Sequence, residues 1–412
     1  MKLDIDFVRS HFTQLHDDPA FVFTANAGGS YVCDQVNQAV EHYNRHTRVQ
    51  PYNRYRSSAE AGDAMDRAHH GWAAALNVDP AELTFGPSTS MNTFVMSHAF
   101  GDNWSEGDEI IVTDQDHEAN IGAWRRMAKQ KQVAVREWRV DSGTGLLDPE
   151  SLNPLLNART KWVFFSHCSN VVGTVNPVAE IVREVRARSD ARVFVDAVAY
   201  APHHIPDLKA LGVDGYVFSL YKVFGPHQGL LYLDGGAGKE AASQAHFFNR
   251  GNPTKDFNPA GPQHAQIAGC AGVLDYFSDL HRHHFGDTRK SSSDTLADVR
   301  QLFLQHENEL AAPILGFLSD RSDIRLLGKS TTADNDRAPT IAFKPLRGTS
   351  ASVTKALQAA GIGAEHGNFY AHRLVTNLGI EPADGVVRLS LVHYNNQPEV
   401  SRIVTALESV LG

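Results

Sequence analysis

Lys222 stands in the run Ser219-Leu-Tyr-Lys-Val-Phe-Gly-Pro-His-Gln-Gly-Leu-Leu-Tyr232, after a β-rich segment and before a Gly-Pro turn. That context places it at the carboxyl end of a strand. A lysine desolvated there by apolar and aromatic neighbours is nucleophilic enough to form a Schiff base. Alone, the same lysine reads first as a solvated strand-end charge. Asp196 shifts the balance. It ends the apolar run Val193-Phe-Val195, where a carboxylate needs a cationic partner such as a pyridinium nitrogen. Its plainer role is to cap the next turn. Gly86-Pro-Ser-Thr-Ser-Met-Asn92 lies between a strand and a helix, so backbone N–H groups and the hydroxyls of Thr89 and Ser90 suit a phosphate. The same string serves as an ordinary helix cap.

The elements that must hold these groups alternate. Strands are expected at Glu82–Phe85, Glu109–Thr113, Lys161–Phe165, Arg192–Asp196, Asp214–Ser219 and Gly229–Leu233. Helices are expected at Ser88–Ala99, at His117–Lys131 and after Pro177, a residue suited to a first helical turn. Such alternation implies crossover units and a mainly parallel sheet, with ligands beyond the strands' carboxyl ends. After about residue 285 the character changes. Arg289–Ser293 and Lys329–Arg337 are polar; strands follow at Pro339–Lys344 and Val386–Val392. A helix is expected at Ser350–Ala360 with Gly361 as its stop, and another carries Val400, Ile403, Val404, Leu407 and Leu411 at helical spacing. The expected division is an N-terminal segment, 1–20, packing with the small domain, a large domain, 21–285, and a small α/β domain, 286–412.

Composition narrows the class. Lys plus Arg is 38 against Asp plus Glu at 47, a net charge of −9, which argues against nucleic acid or an anionic membrane as partner. No stretch of 18 apolar residues occurs, and the N-terminus lacks a signal-peptide pattern. The three cysteines, Cys33, Cys168 and Cys270, form no CxxC pair. A cytoplasmic location is the expectation. His69-His70, His203-His204 and His281-Arg-His-His284 invite a metal site, but adjacent residues face apart and no HExxH accompanies them, so no metal is expected.

Six ordered motifs resemble the class V, fold-type I pyridoxal-phosphate enzymes, and most of all the cysteine desulfurase / selenocysteine lyase group. They are Phe85-Gly-Pro-Ser-Thr-Ser90, Asp116-His-Glu-Ala-Asn120, Ser166-His-Cys-Ser-Asn-Val-Val-Gly-Thr174, Val195-Asp-Ala197, Ser219-Leu-Tyr-Lys222 and Val387-Arg-Leu-Ser390. The resemblance implies a fold-type I α/β transferase fold with a large, mainly parallel domain and a smaller C-terminal α/β domain. It implies that Lys222 holds pyridoxal 5'-phosphate as a Schiff base, that Asp196 pairs with the ring nitrogen and that His117 stacks on the ring. Asn170 would reach the ring's phenolic oxygen, and Thr89, Ser90 and Ser219 would hold the phosphate. Arg388 would clamp the substrate carboxylate with its planar fork of donors. Asn26 would join the substrate pocket, with the Asn53-Arg-Tyr-Arg56 loop and Glu365–Tyr370 beside it. A homodimer is implied too, with Phe257–His264 approaching the partner's phosphate and Gly261 standing where the family often has threonine.

The departures are specific. Gly361–Tyr370 holds no cysteine where desulfurases of this group carry their nucleophile, and Glu365 stands where an arginine is common. Cys168 lies in the Asn170 motif and Cys270 in an expected helix; both read as small buried residues. Tyr221 replaces the histidine before the lysine, and Ala199 replaces a polar residue. Ser-x-Tyr-Lys is similar to kynureninases, and with Phe-Gly added to molybdenum-cofactor sulfurases. A phenol there can bond the phosphate or relay a proton, though it is a poorer base than imidazole. The expected activity is a lyase acting on the Cβ substituent of an amino acid, a C–S or C–Se bond, without a persulfide. The alternatives are an aminotransferase or epimerase, a kynureninase-like hydrolase, and a non-catalytic protein that keeps the fold as a scaffold.

Overall fold

Seven strands form the central sheet of the computed structural model, which describes residues 1–259, 261–287 and 290–412. Ala260, in the expected 257–264 approach segment, and Arg289, in the polar 289–293 run, lie outside the described residues. The strands are β1 (Leu83–Gly86), β2 (Glu109–Thr113), β3 (Ala134–Trp138), β4 (Thr160–Ser166), β5 (Arg192–Asp196), β6 (Gly215–Ser219) and β7 (Gly229–Leu233). Their order is β1-β7-β6-β5-β4-β2-β3; the run from β3 to β6 is parallel, and β7 is antiparallel to both neighbours.

Parallel strands covered on both faces must be apolar throughout, and alternate residues must feed opposite cores. In β4, Val163 and Phe165 enter one core with Trp72, Trp138 and Phe218, while Trp162 and Phe164 enter the other with Phe100, Trp124 and Phe194. Val193, Phe194 and Val195 of β5 alternate in the same way. The helices Thr89–Gly101, Glu118–Gln130 and Val178–Arg188 follow β1, β2 and β4. Each helix start therefore falls at the carboxyl edge, where Asp196 and Lys222 also sit.

A second sheet contains β8 (Ile324–Leu327), β9 (Thr340–Pro345), β10 (Glu365–Gly367) and β11 (Val386–Ser390), antiparallel in the order β10-β11-β9-β8. Ile341, Phe343, Leu389, Ile403 and Leu407 fill its own core. The expected strand Val386–Val392 stops at Ser390, because the Val392 N–H donates to the Asn395 side chain and turns the chain. The helix Ser292–Ser319 serves both cores: Leu296, Val299 and Phe303 pack into the first, and Leu310, Ile314 and Leu318 into the second. The N-terminus also bridges the two halves. Arg9 bonds the Tyr394 carbonyl and pairs with Glu399 at 2.8 Å, whereas Phe12 packs against Phe224 and Tyr276. Among the described residues no helix is long and apolar enough to cross a membrane.

Candidate active site

Lys222 follows β6 within a single helical turn, Leu220–Lys222, and is 5% exposed. Burial, and then the Arg388 charge, push its amine down to about 8, although Asp196 pulls the other way. The amine is therefore far closer to its neutral, nucleophilic form than a solvated lysine. Asp196, 4% exposed, ends the neighbouring strand, and its Oδ1 accepts the Val198 N–H at 2.8 Å. Burial raises its carboxyl to about 6, against the lowering effects of that hydrogen bond and of Lys222.

Both groups line a cavity of about 220 Å³ together with Thr89, Ser90, Ser219 and His227. Ser88 caps the Thr89–Gly101 helix by accepting the Met91 N–H, and Thr89 Oγ1 lies 2.8 Å from Ser219 Oγ. Hydroxyls and a helix start thus converge at one end, as an anion requires. Gly229 is what lets β7 approach this turn: a Cβ there would lie 2.5 Å from the Ser88 carbonyl carbon and 2.7 Å from the Thr89 nitrogen.

His117 caps the Glu118–Gln130 helix, its Nδ1 accepting the Ala119 N–H at 3.0 Å. Burial, Lys222 and Arg388 lower its imidazole to about 4, so it is a neutral ring at the cavity wall. Tyr221 lines the same wall and stacks on His227, centroids 4.8 Å apart. Burial raises the Tyr221 phenol, which holds its proton.

A second cavity of about 510 Å³ adjoins the first and shares His117, Asn170, Tyr221 and Lys222 with it. Arg388 lies here, 3% exposed, with burial pulling its guanidinium down to about 10. It reaches across from β11 to donate to the Asn170 carbonyl at 2.9 Å, and the Phe369 ring lies 3.6 Å below it. The Asn170 amide donates to the Phe369 carbonyl at 2.9 Å. Asn26 is turned away from this space. Its amide donates to the Ser390 carbonyl at 2.8 Å and its oxygen accepts the Tyr394 hydroxyl, while Ala27 and Gly28 face the cavity.

Asp116 opens the Asp116–Asn120 motif, and the resemblance gives it no role. It is buried, accepts the Ser166 hydroxyl, and is pushed up to about 7 mainly by burial. Ser166 is paired across the sheet with Asp196, so two buried carboxyls lie close together and one keeps its proton near neutral pH. Its sequence signal was a second aspartate just beyond an apolar strand, in Thr113-Asp-Gln-Asp116. All three cysteines are buried. Cys168 touches the inner cavity, but burial drives its thiol up to about 12, away from thiolate chemistry. The histidine pairs are tied elsewhere: His203 to Glu307, His281 to Asp298 and His283 to Asp4, each at 2.9 Å. Among the described residues no group of three or more His, Cys, Asp or Glu is placed to hold a metal ion.

The donor set suits a flat, basic heterocycle bearing a phosphate and a carbonyl. An amine stands ready for the carbonyl, a carboxylate for the ring nitrogen, a neutral imidazole for the ring face and a hydroxyl-rich helix start for the phosphate. Comparison with known proteins agrees. Residues 22–403 match the family model described as Aminotransferase class-V. The chain is similar to the aminotransferase-like protein FGM3 of Gibberella zeae, 34% identical over 99% of this chain and 98% of the relative. It is similar to the cysteine desulfurase-like protein ustD of Aspergillus flavus, 27% identical over 99% and 91%. Its fold matches a cysteine desulfurase of Thermococcus onnurineus with a TM-score of 0.86 at 20% identity, covering 100% of this chain and 98% of that one.

Proposed function

The chain belongs to the class V aminotransferase family, whose members work with pyridoxal 5'-phosphate, and from that premise we propose a lyase that removes the Cβ substituent of an α-amino acid without a persulfide. The observation that carries this is the joint burial of Lys222 and Asp196 in one cavity with Arg388 in the next, beside a loop that holds no cysteine.

Lys222 would attach the cofactor, Asp196 would pair with its ring nitrogen, His117 would cover the ring and Thr89, Ser90 and Ser219 would hold the phosphate. When bound, the cofactor supplies an electron sink that stabilises negative charge at the substrate Cα. The protein decides the outcome. Arg388 orients the substrate by its carboxylate, and Lys222, whose amine burial brings closer to its neutral form, takes the proton from Cα. Tyr221, which keeps its phenolic proton, serves beside it as a donor. With the Cα proton and the Cβ substituent lost, addition of water leaves a keto acid and ammonia, and the substituent departs as its thiol or selenol. The 361–370 loop holds no cysteine, all three thiols are buried, and burial raises the Cys168 thiol, so no thiolate is placed to capture sulfur.

The test is keto-acid release from S-substituted cysteines by the cofactor-loaded enzyme. Turnover should survive replacement of Cys33, Cys168 and Cys270 by alanine and vanish in Lys222→Ala. Loss of keto acid in the cysteine-free variant with its cofactor retained would exclude this route.

We also propose a homodimer. Met91 and Phe94 are exposed just beyond the phosphate-binding turn, and Phe247 and Phe248 are 81% and 70% exposed. Apolar groups of this size at the surface suit an interface.

A further inference from the structure

Arg388 is the cation a substrate carboxylate would seek, and its guanidinium is already held on three sides. The Asn170 carbonyl takes Nη1, the Phe369 ring covers one face, and Glu365 Oε2 lies 3.2 Å from Nη2. Strand pairing fixes this contact, because Glu365 and Arg388 stand directly opposite each other in the β10–β11 register. The Glu365 side chain is nevertheless 48% exposed, so it can turn toward whatever enters the cavity.

Glu365 is the one carboxylate among the described residues that line the outer cavity, and Lys222 and Arg388 are its lysine and arginine. Cofactor attachment would tie up the Lys222 amine as an imine, which leaves Arg388 as the fixed cation facing Glu365. An arriving amino acid then brings its own carboxylate to Arg388, and two carboxylates compete for one guanidinium. Like charges this close disfavour each other unless another cation joins them. His117 is neutral, and among the described residues no ion pair joins Glu365 to His366, the other imidazole of this lining.

From this charge balance we infer that Glu365 is a specificity-determining residue that selects an amino acid with a cationic side chain. The α-carboxylate takes Arg388, and the displaced Glu365 pairs with the substrate's positive group. The rings of Phe369 and Tyr370, in the same wall, add faces on which a cation is favourable. An acidic side chain would bring a third carboxylate and is rejected. This substrate class deepens the lyase activity proposed above and rests on it.

Three ligands with the same Cβ–S bond provide the test: S-(2-aminoethyl)-L-cysteine, the near-isosteric S-propyl-L-cysteine and S-carboxymethyl-L-cysteine. Each is titrated into the cofactor-loaded enzyme while the cofactor's visible band is followed. The aminoethyl ligand should bind about tenfold tighter than the propyl one, the scale of one charge-assisted contact, with the carboxymethyl ligand weakest. In Glu365→Gln the first two should converge to within about twofold, and Glu365→Lys should favour the carboxymethyl ligand. Equal affinities in the unaltered enzyme, or a preference that survives Glu365→Gln, would overturn the inference and leave the lyase proposal standing. No spectral response to any of the three would overturn both.

Discussion

At Lys222 the decisive property is an amine whose charge burial weakens. The buried amine deprotonates at about 8, with Arg388, Asp196 and Glu365 acting on it from neighbouring elements. A lowered lysine pKa means the nucleophilic form is populated above that value. Cofactor uptake by the cofactor-free protein should therefore speed up as pH rises and level off above about 8, as stopped-flow absorbance at a series of pH values would show. A rate that keeps climbing toward the range of solvated lysines would place Lys222 in water. Asp196→Asn keeps the shape and removes the anion proposed to face the ring nitrogen. Turnover should fall by roughly 10²-fold, the scale of losing one preorganised electrostatic contact at a reacting centre. Lys222 and Asp196 were legible in the sequence because each follows a β-rich run, where a charge needs a reason. Asp116 was not, since its importance comes from Ser166 and Asp196, which only the folded sheet brings beside it. Asn26 was placed by its position in the chain alone; its side chain turns inward because Ser390 and Tyr394 satisfy it there.

Two elements set the site's geometry. The first is the turn between β1 and the Thr89–Gly101 helix, against which Gly229 packs. Gly229→Ala should destabilise the fold by about 1–3 kcal/mol, as overpacking does, and weaken cofactor retention during dialysis. Unchanged stability and retention would show that the turn can move. The second is the segment after β10. Phe369 and Tyr370 both adopt positive φ, +50° and +60°, an uncommon state for aromatic residues. Two contacts hold them there: the Glu118 N–H donates to the Tyr370 carbonyl at 2.8 Å, and the Asn170 amide to that of Phe369. Strands and helices of the large domain were legible because their apolar runs are short, regular and bounded by turn residues. The edge strands β3 (AVREW) and β8 (IRLL) were missed because charges interrupt their apolar runs. The 365–370 segment could not be read, because its backbone is set by distant partners.

Across the whole molecule the site is a seam. Lys222, Asp196 and His117 come from the central sheet's strands and the segments that follow them, while Arg388, Glu365 and Phe369 come from β10, β11 and the segment after β10, and the Arg388–Asn170 contact closes the gap. In the proposed reading, residues of the second sheet bind the amino acid and residues around the central sheet hold the cofactor, so the two halves must stay docked. Gly173 marks where they touch: its φ is +72°, and a Cβ there would collide with the Thr340 carbonyl. Gly173→Ala should lower the thermal midpoint and raise KM more than it lowers kcat, because the proposed carboxylate binding at Arg388 depends on that docking. Multi-angle light scattering should give twice the 45.2 kDa chain mass. A fully active monomer would contradict the proposed dimer. The most direct test of the lyase follows the visible spectrum and keto acid together while S-substituted cysteines are added to the loaded enzyme. A cofactor band that persists over many turnovers, with keto acid and thiol released in equal amounts, is the predicted result. Conversion of the cofactor to its pyridoxamine form with no thiol released would mean transamination and contradict it.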